Sequence, residues 1–116
     1  MHTISKEFHF SASHVLVGLP DCHPCGRLHG HNYILKVILK GSPNSKGFVQ
    51  DYGELKPIQE FIDQNLDHKH LNDFFPFQPS VELMTENLFH FFKKDYPMLH
   101  AVEMSETPKT NCRYEE

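Results

Sequence analysis

In the stretch DCHPCGRLHGHNY, positions 21–33, a Cys-x-x-Cys pair (Cys22, Cys25) is followed four residues on by a His-x-His pair (His29, His31), side chains of types that bind metals or move protons. Three chemistries compete for them. Two thiolates and two imidazoles would close a structural zinc site. A Cys-x-x-Cys pair alone would be a redox dithiol. His29 and His31, joined by a third imidazole, would leave a catalytic metal with an open coordination position.

The spacing weighs against the first two. A closed finger needs about 12 residues and a helix between its cysteines and histidines. Here only Gly26-Arg27-Leu28 intervenes, and the histidines are two apart. A redox dithiol needs its first cysteine at a helix N-terminus, whereas CHPCGRL contains Gly26 and runs on into an extended segment. The open site fits best. His29 and His31 fall on one face of a strand, and His14 ends the apolar face of the preceding strand. Paired as a long hairpin, the two strands bring three neutral imidazoles together, the ligand set of a catalytic zinc.

The elements that must position these residues follow from periodicity. Residues 3–14 alternate, with Ile4, Phe8, Phe10, Ala12 and His14 on one face. Residues 15–28 hold Gly18, Pro20, Pro24 and Gly26 and read as a loop. A second strand is expected over 31–40, its row Tyr33, Leu35, Val37 and Leu39 continuing back through His31 and His29. After the turn cluster GSPNSKG and a short extended FVQDY, a helix over about 53–66 carries Leu55, Ile58, Ile62 and Leu66. A second, over about 81–94, has Ser80 as N-cap and Glu82 in its first turn. AVEMSET (101–107) and TNCRY (110–114) close the chain as strands. Strand, strand, helix, helix, strand, strand predicts an α+β fold, a four-stranded antiparallel sheet with both helices on one face. Its exposed edges call for a cover or a second subunit.

Two carboxylates attract notice. Glu106 lies in line with Val102 and Met104, so it is expected to be partly buried and to need a strong partner. An Arg or Lys, or a ligand offering two N–H groups, would serve equally. Asp67 and His68, in LDHKHLN, read either as a helix C-terminal pair or as an oriented acid–base histidine. Nothing local decides between these readings.

Composition bounds the rest. The 116 residues suit a single domain spanning 1–116, with fourteen aromatic residues for its core. A net charge of −4 without a basic cluster argues against nucleic acid. No apolar run reaches the ~18–20 residues that span a bilayer. Three cysteines without a signal-like N-terminus point to a reducing cytoplasm.

Over nearly its whole length the chain resembles the 6-pyruvoyltetrahydropterin synthase superfamily. The resemblance is carried by FHFSASH, CGRLHGHNY, GFVQDYGELK, LDHKHLN, TENL and SETP followed by CRY. The cysteine four residues before the first histidine of His-Gly-His resembles the bacterial 6-carboxytetrahydropterin synthases of queuosine (7-deazaguanine) biosynthesis. The resemblance implies the tunnelling fold, in which three four-stranded sheets close a twelve-stranded barrel and two trimers stack as a homohexamer. It implies a zinc-dependent lyase in the cytoplasm that acts on a small pterin substrate, 7,8-dihydroneopterin triphosphate. The products would be 6-carboxy-5,6,7,8-tetrahydropterin, acetaldehyde and triphosphate. It also implies site roles: His14, His29 and His31 as Zn2+ ligands, Cys25 with Asp67 and His68 as proton-transfer groups, and Glu106 as the anchor of the pterin N–H edge. Cys22 matches no role in the family, and Leu83-Met84 stands where the family has Pro-Thr, before the helix start Thr85-Glu86-Asn87.

Overall fold

The computed structural model describes all 116 residues. Strands β1 (His2–His14) and β2 (His29–Gly41) pair antiparallel along their entire length. The ladder runs from His2 opposite Gly41 to His14 opposite His29. Because side chains alternate with a period of two, this register sets one row toward the core: Phe8, Phe10, Ala12, Tyr33, Leu35, Val37 and Leu39 are all buried. Strand β4 (Leu99–Ser105) adds to β2 and β5 (Cys112–Glu115) to β4, both antiparallel.

Helix α1 (Lys56–Asn65) buries Ile58 and Ile62, four apart, with Pro57 in its first turn where no N–H is missed. The later helix Val81–Lys93 buries Met84, Leu88, Phe89 and Phe92, and Ser80 Oγ caps it by accepting from the Leu83 amide at 3.3 Å. Leu83 and Met84 therefore leave the helix start intact. Each such fully buried side chain contributes roughly 1.5–3 kcal/mol relative to exposure.

The expected four-stranded antiparallel sheet is corrected to a mixed sheet of five strands in the order β3-β1-β2-β4-β5. The added strand, β3 (Lys69–His70), lies parallel to β1 beside Ala12 and Ser13. Its capture has a local cause. The amide of His68 donates to Ser11 O at 2.6 Å, and Asp67 Oδ1 accepts from Ser11 N at 2.9 Å, so the chain leaving α1 is drawn onto the edge of β1. Two residues are too few to show a period.

The two expected helices become three, with one-turn α2 (Leu71–Phe74) preceding α3 (Val81–Lys93). FVQDY does not form a strand. Asp51 instead caps a 3-10 turn over Tyr52–Leu55 by accepting from the Gly53 amide at 2.9 Å, which moves the start of α1 to Lys56.

Asn72, on α2, holds both backbone groups of Val15: its Oδ1 accepts from the amide at 2.9 Å and its Nδ2 donates to the carbonyl at 2.8 Å. This clamp fixes the chain one residue past His14. Asn72→Ala is expected to lower the unfolding free energy by about 1–3 kcal/mol, because two partly buried backbone groups lose their partner. Asp73→Ala, at an exposed neighbour, is expected to stay within roughly 0.5 kcal/mol. Urea midpoints of the two variants check the difference.

Candidate functional site

The hairpin register brings His14, His29 and His31 together, with one nitrogen from each ring lying within 4.8 Å of the others. His14 is fully buried and the other two partly so. His14 Nδ1 donates to Pro79 O at 2.8 Å and His29 Nδ1 to Arg27 O at 2.7 Å. A carbonyl can only accept, so both rings carry their proton on Nδ1 and turn the Nε2 lone pair inward. Those two Nε2 atoms stand 2.9 Å apart. Facing lone pairs repel at that distance, and a cation shared between them removes the conflict. Carbonyls behind the imidazoles also set ring orientation in metal sites.

Burial holds His14 and His31 below the usual imidazole range, opposed at His14 by the Pro79 hydrogen bond and at both rings by Glu106, with further lowering from neighbouring histidines. Both rings thus favour the neutral, ligating form. The three residues could hold a metal ion.

Neither cysteine joins this group, and Cys22, Cys25 and Cys112 are all free thiols. Cys25 is half-buried in a one-turn 3-10 helix, Pro24–Gly26, which is too short to present a helix dipole. The Cys25 carbonyl accepts from Leu16 N at 3.0 Å and its amide donates to His23 Nδ1 at 3.1 Å. These bonds hold the loop across the end of β1. The closed two-cysteine, two-histidine site is therefore not what the fold builds.

Glu106 continues the inward row of Val102 and Met104 just past the end of β4. It pairs with no Arg or Lys. Its Oε2 lies 3.4 Å from His14 Nε2 and 3.3 Å from His31 Nε2. The β2–β4 ladder ends at Ile34 opposite Ser105. Beyond that point a cavity of about 640 Å³ opens, lined among others by Phe10, His31, Tyr33, Asp67 and Glu106.

Tyr33, only an apolar row member in the sequence reading, lies in this cavity's wall at 1% exposure. Its hydroxyl is the one buried side-chain polar atom without a hydrogen-bond partner. Burial, then the Glu106 charge, pushes the phenol well above its ordinary range. A tyrosine inside an otherwise aliphatic row is a signal that a polar tip needs a partner.

Asp67 and His68 occupy the turn between α1 and β3, not the last turn of the helix. Asp67 Oδ2 is 3.1 Å from His68 Nδ1, while its other oxygen takes the Ser11 amide. His68 has φ +59°, the chain's one non-glycine residue in the left-handed region. Such conformations persist where surrounding contacts enforce them. Here the Ser11 bonds do so, and they leave the imidazole 82% exposed beside a pocket wall.

The family described as PTPS, 6-pyruvoyl tetrahydropterin synthase, matches residues 3–116. A 6-carboxy-5,6,7,8-tetrahydropterin synthase of Haemophilus influenzae is 29% identical over 143 aligned positions that cover all of both chains. A 6-pyruvoyl tetrahydrobiopterin synthase of Dictyostelium discoideum is 36% identical over 90 positions, covering 72% of this chain and 67% of that one. Among solved structures, the Caenorhabditis elegans 6-pyruvoyl tetrahydropterin synthase superposes with a TM-score of 0.87 at 28% identity. It covers 99% of this chain and 95% of its own.

Proposed function

Because the chain belongs to the 6-pyruvoyl tetrahydropterin synthase family, we propose that it is a zinc-dependent 6-carboxytetrahydropterin synthase of queuosine biosynthesis. It would convert 7,8-dihydroneopterin triphosphate to 6-carboxy-5,6,7,8-tetrahydropterin, acetaldehyde and triphosphate. The observation that carries the reading is the juxtaposition of a three-imidazole cluster and Glu106 at the wall of one cavity. The full-length similarity to the Haemophilus carboxy-forming synthase supports the choice of product.

A zinc ion on His14, His29 and His31 supplies Lewis acidity toward the oxygens of the substrate side chain. The protein's own groups do the rest. Glu106 accepts hydrogen bonds from the pterin N–H edge and fixes the ring in the cavity. Asp67 holds the Nδ1 proton of His68, so that His68 Nε2 is the atom that exchanges protons. Cys25 provides the second proton-transfer group. The outer edge of β1 before Ser11, beyond the two residues that β3 covers, and the outer edge of β5 pair with neighbouring protomers and close the hexamer, in a cytoplasm that keeps the three thiols reduced.

Incubation with 7,8-dihydroneopterin triphosphate tests the assignment. Acetaldehyde released in step with triphosphate is expected. Triphosphate without acetaldehyde would favour the pyruvoyl-forming reaction, the activity named for the Dictyostelium and Caenorhabditis relatives.

Glu106→Gln tests the anchor. The amide keeps the shape but turns donors toward donors, and pterin binding is expected to weaken by about 2–4 kcal/mol. Metal content is measured alongside, since Glu106 also faces two of the histidines. Unchanged pterin affinity would remove the anchoring role.

A further inference from the structure

Next to the cavity that holds Glu106 lies a second, of about 480 Å³, whose lining includes Ser11, Ser13, Asn32, His68, Lys69 and His70. The two share Ser11, Gly30, His31 and Asn32, so they are arms of one recess that meet over His31. Charge divides between the arms. The first contains Asp67 and Glu106 and no Lys or Arg; the second contains Lys69 and further histidines and no carboxylate.

The second arm is also rich in donors that nothing in the protein accepts. Lys69 is exposed and enters none of the ion pairs that Lys36 and Arg113 form. Ser11 Oγ donates to Asn32 Oδ1 at 2.7 Å, which leaves both amide hydrogens of Asn32 free. Ser13 Oγ lies 2.9 Å from His70 Nδ1. With the hydroxyl donating, the ring proton sits on Nε2, which has no protein acceptor. Two carboxylates border the arm and both are engaged: Asp67 by the Ser11 amide and His68, and Glu106 against His14 and His31.

We propose that this basic arm seats phosphate groups, with Lys69, His70 and Asn32 donating to the phosphate chain of the molecule whose ring Glu106 holds. An ammonium and neutral N–H donors around one recess suit an oligophosphate, whose oxygens only accept. The acid-lined arm suits the opposite end of the same molecule, a heterocycle edge that only donates. The identity of that ring rests on the function proposed above; the anion seat does not.

The test measures equilibrium binding of three probes: inorganic triphosphate, 7,8-dihydroneopterin and 7,8-dihydroneopterin triphosphate. Each is titrated into the wild-type chain, Lys69→Gln, and the double variant Lys69→Gln/His70→Gln. Lys69 is exposed, so its single variant folds regardless of the Ser13–His70 bond, and far-UV circular dichroism checks the double one. The double variant is expected to bind inorganic triphosphate roughly tenfold or more weakly, with Lys69→Gln intermediate. Affinity for unphosphorylated dihydroneopterin should be unchanged, and the advantage of the triphosphorylated form should disappear. Wild-type affinity for inorganic triphosphate in the double variant would overturn the seat. Loss of inorganic triphosphate binding with that advantage intact would overturn its assignment to the substrate's own phosphate chain. Wild-type protein that ignores dihydroneopterin yet binds triphosphate through Lys69 and His70 would overturn the pterin reading and leave the anion seat standing.

Discussion

His29→Ala is expected to abolish stoichiometric metal and catalytic turnover together. The wild-type chain should carry about one zinc per protomer, held by three imidazoles with a fourth position open. Two of those imidazoles turn bare Nε2 lone pairs toward each other at 2.9 Å because backbone carbonyls take both Nδ1 protons. Removing one ring leaves two ligands, too few to retain zinc against dialysis with a chelator. The fold should survive, since His29 is only partly buried at the loop end of the hairpin. Metal analysis, activity and circular dichroism on one preparation separate loss of the site from loss of the fold. His2→Ala, at the far end of the same ladder, serves as the control and should keep both metal and rate. Full zinc retention in His29→Ala would remove the central claim.

Cys25→Ala is expected to behave differently, keeping zinc and pterin while turnover falls by roughly 10²-fold or more. The separation follows from the structure. The thiol lies outside the three-histidine group, so metal content should not register its loss. The loop that carries it is held by backbone bonds, Leu16 N to Cys25 O and Cys25 N to His23 Nδ1, which alanine preserves. A fall in kcat with KM and metal content unchanged marks a proton-transfer group. A near-wild-type rate would make Cys25 a structural residue of the loop. Cys22→Ser, at an exposed position, should leave the rate unaltered.

Much of the fold was legible in the residues. Strand β1 alternates apolar and polar residues, β2 repeats an apolar residue at every second position from Tyr33 to Leu39, and α3 spaces its apolar residues three and four apart, so each carries its own period. The inward row through Val102 and Met104 placed Glu106 correctly at a half-buried position. The three-histidine cluster was legible for the same reason: two strands that pair as a hairpin and end in histidines on one face bring those rings together.

What the chain by itself determined, then, is whatever a local period can encode: the two long strands, the buried rows, and the convergence of His14, His29 and His31. Tertiary contacts decided the rest. Strand β3 exists because Asp67 and His68 bond the backbone of Ser11, fifty-six positions from Asp67 in sequence, and a two-residue strand has no pattern of its own. Glu106 had two equally good partners in principle, a cation or a ligand. Only the assembled sheet showed it facing imidazoles, with neither Arg nor Lys within reach. Tyr33 reads as one more apolar residue until packing seals its hydroxyl without a partner beside that same carboxylate. Hydrogen-bond partners and charge environments are set by distant segments meeting in space, and a one-dimensional pattern holds no record of those meetings.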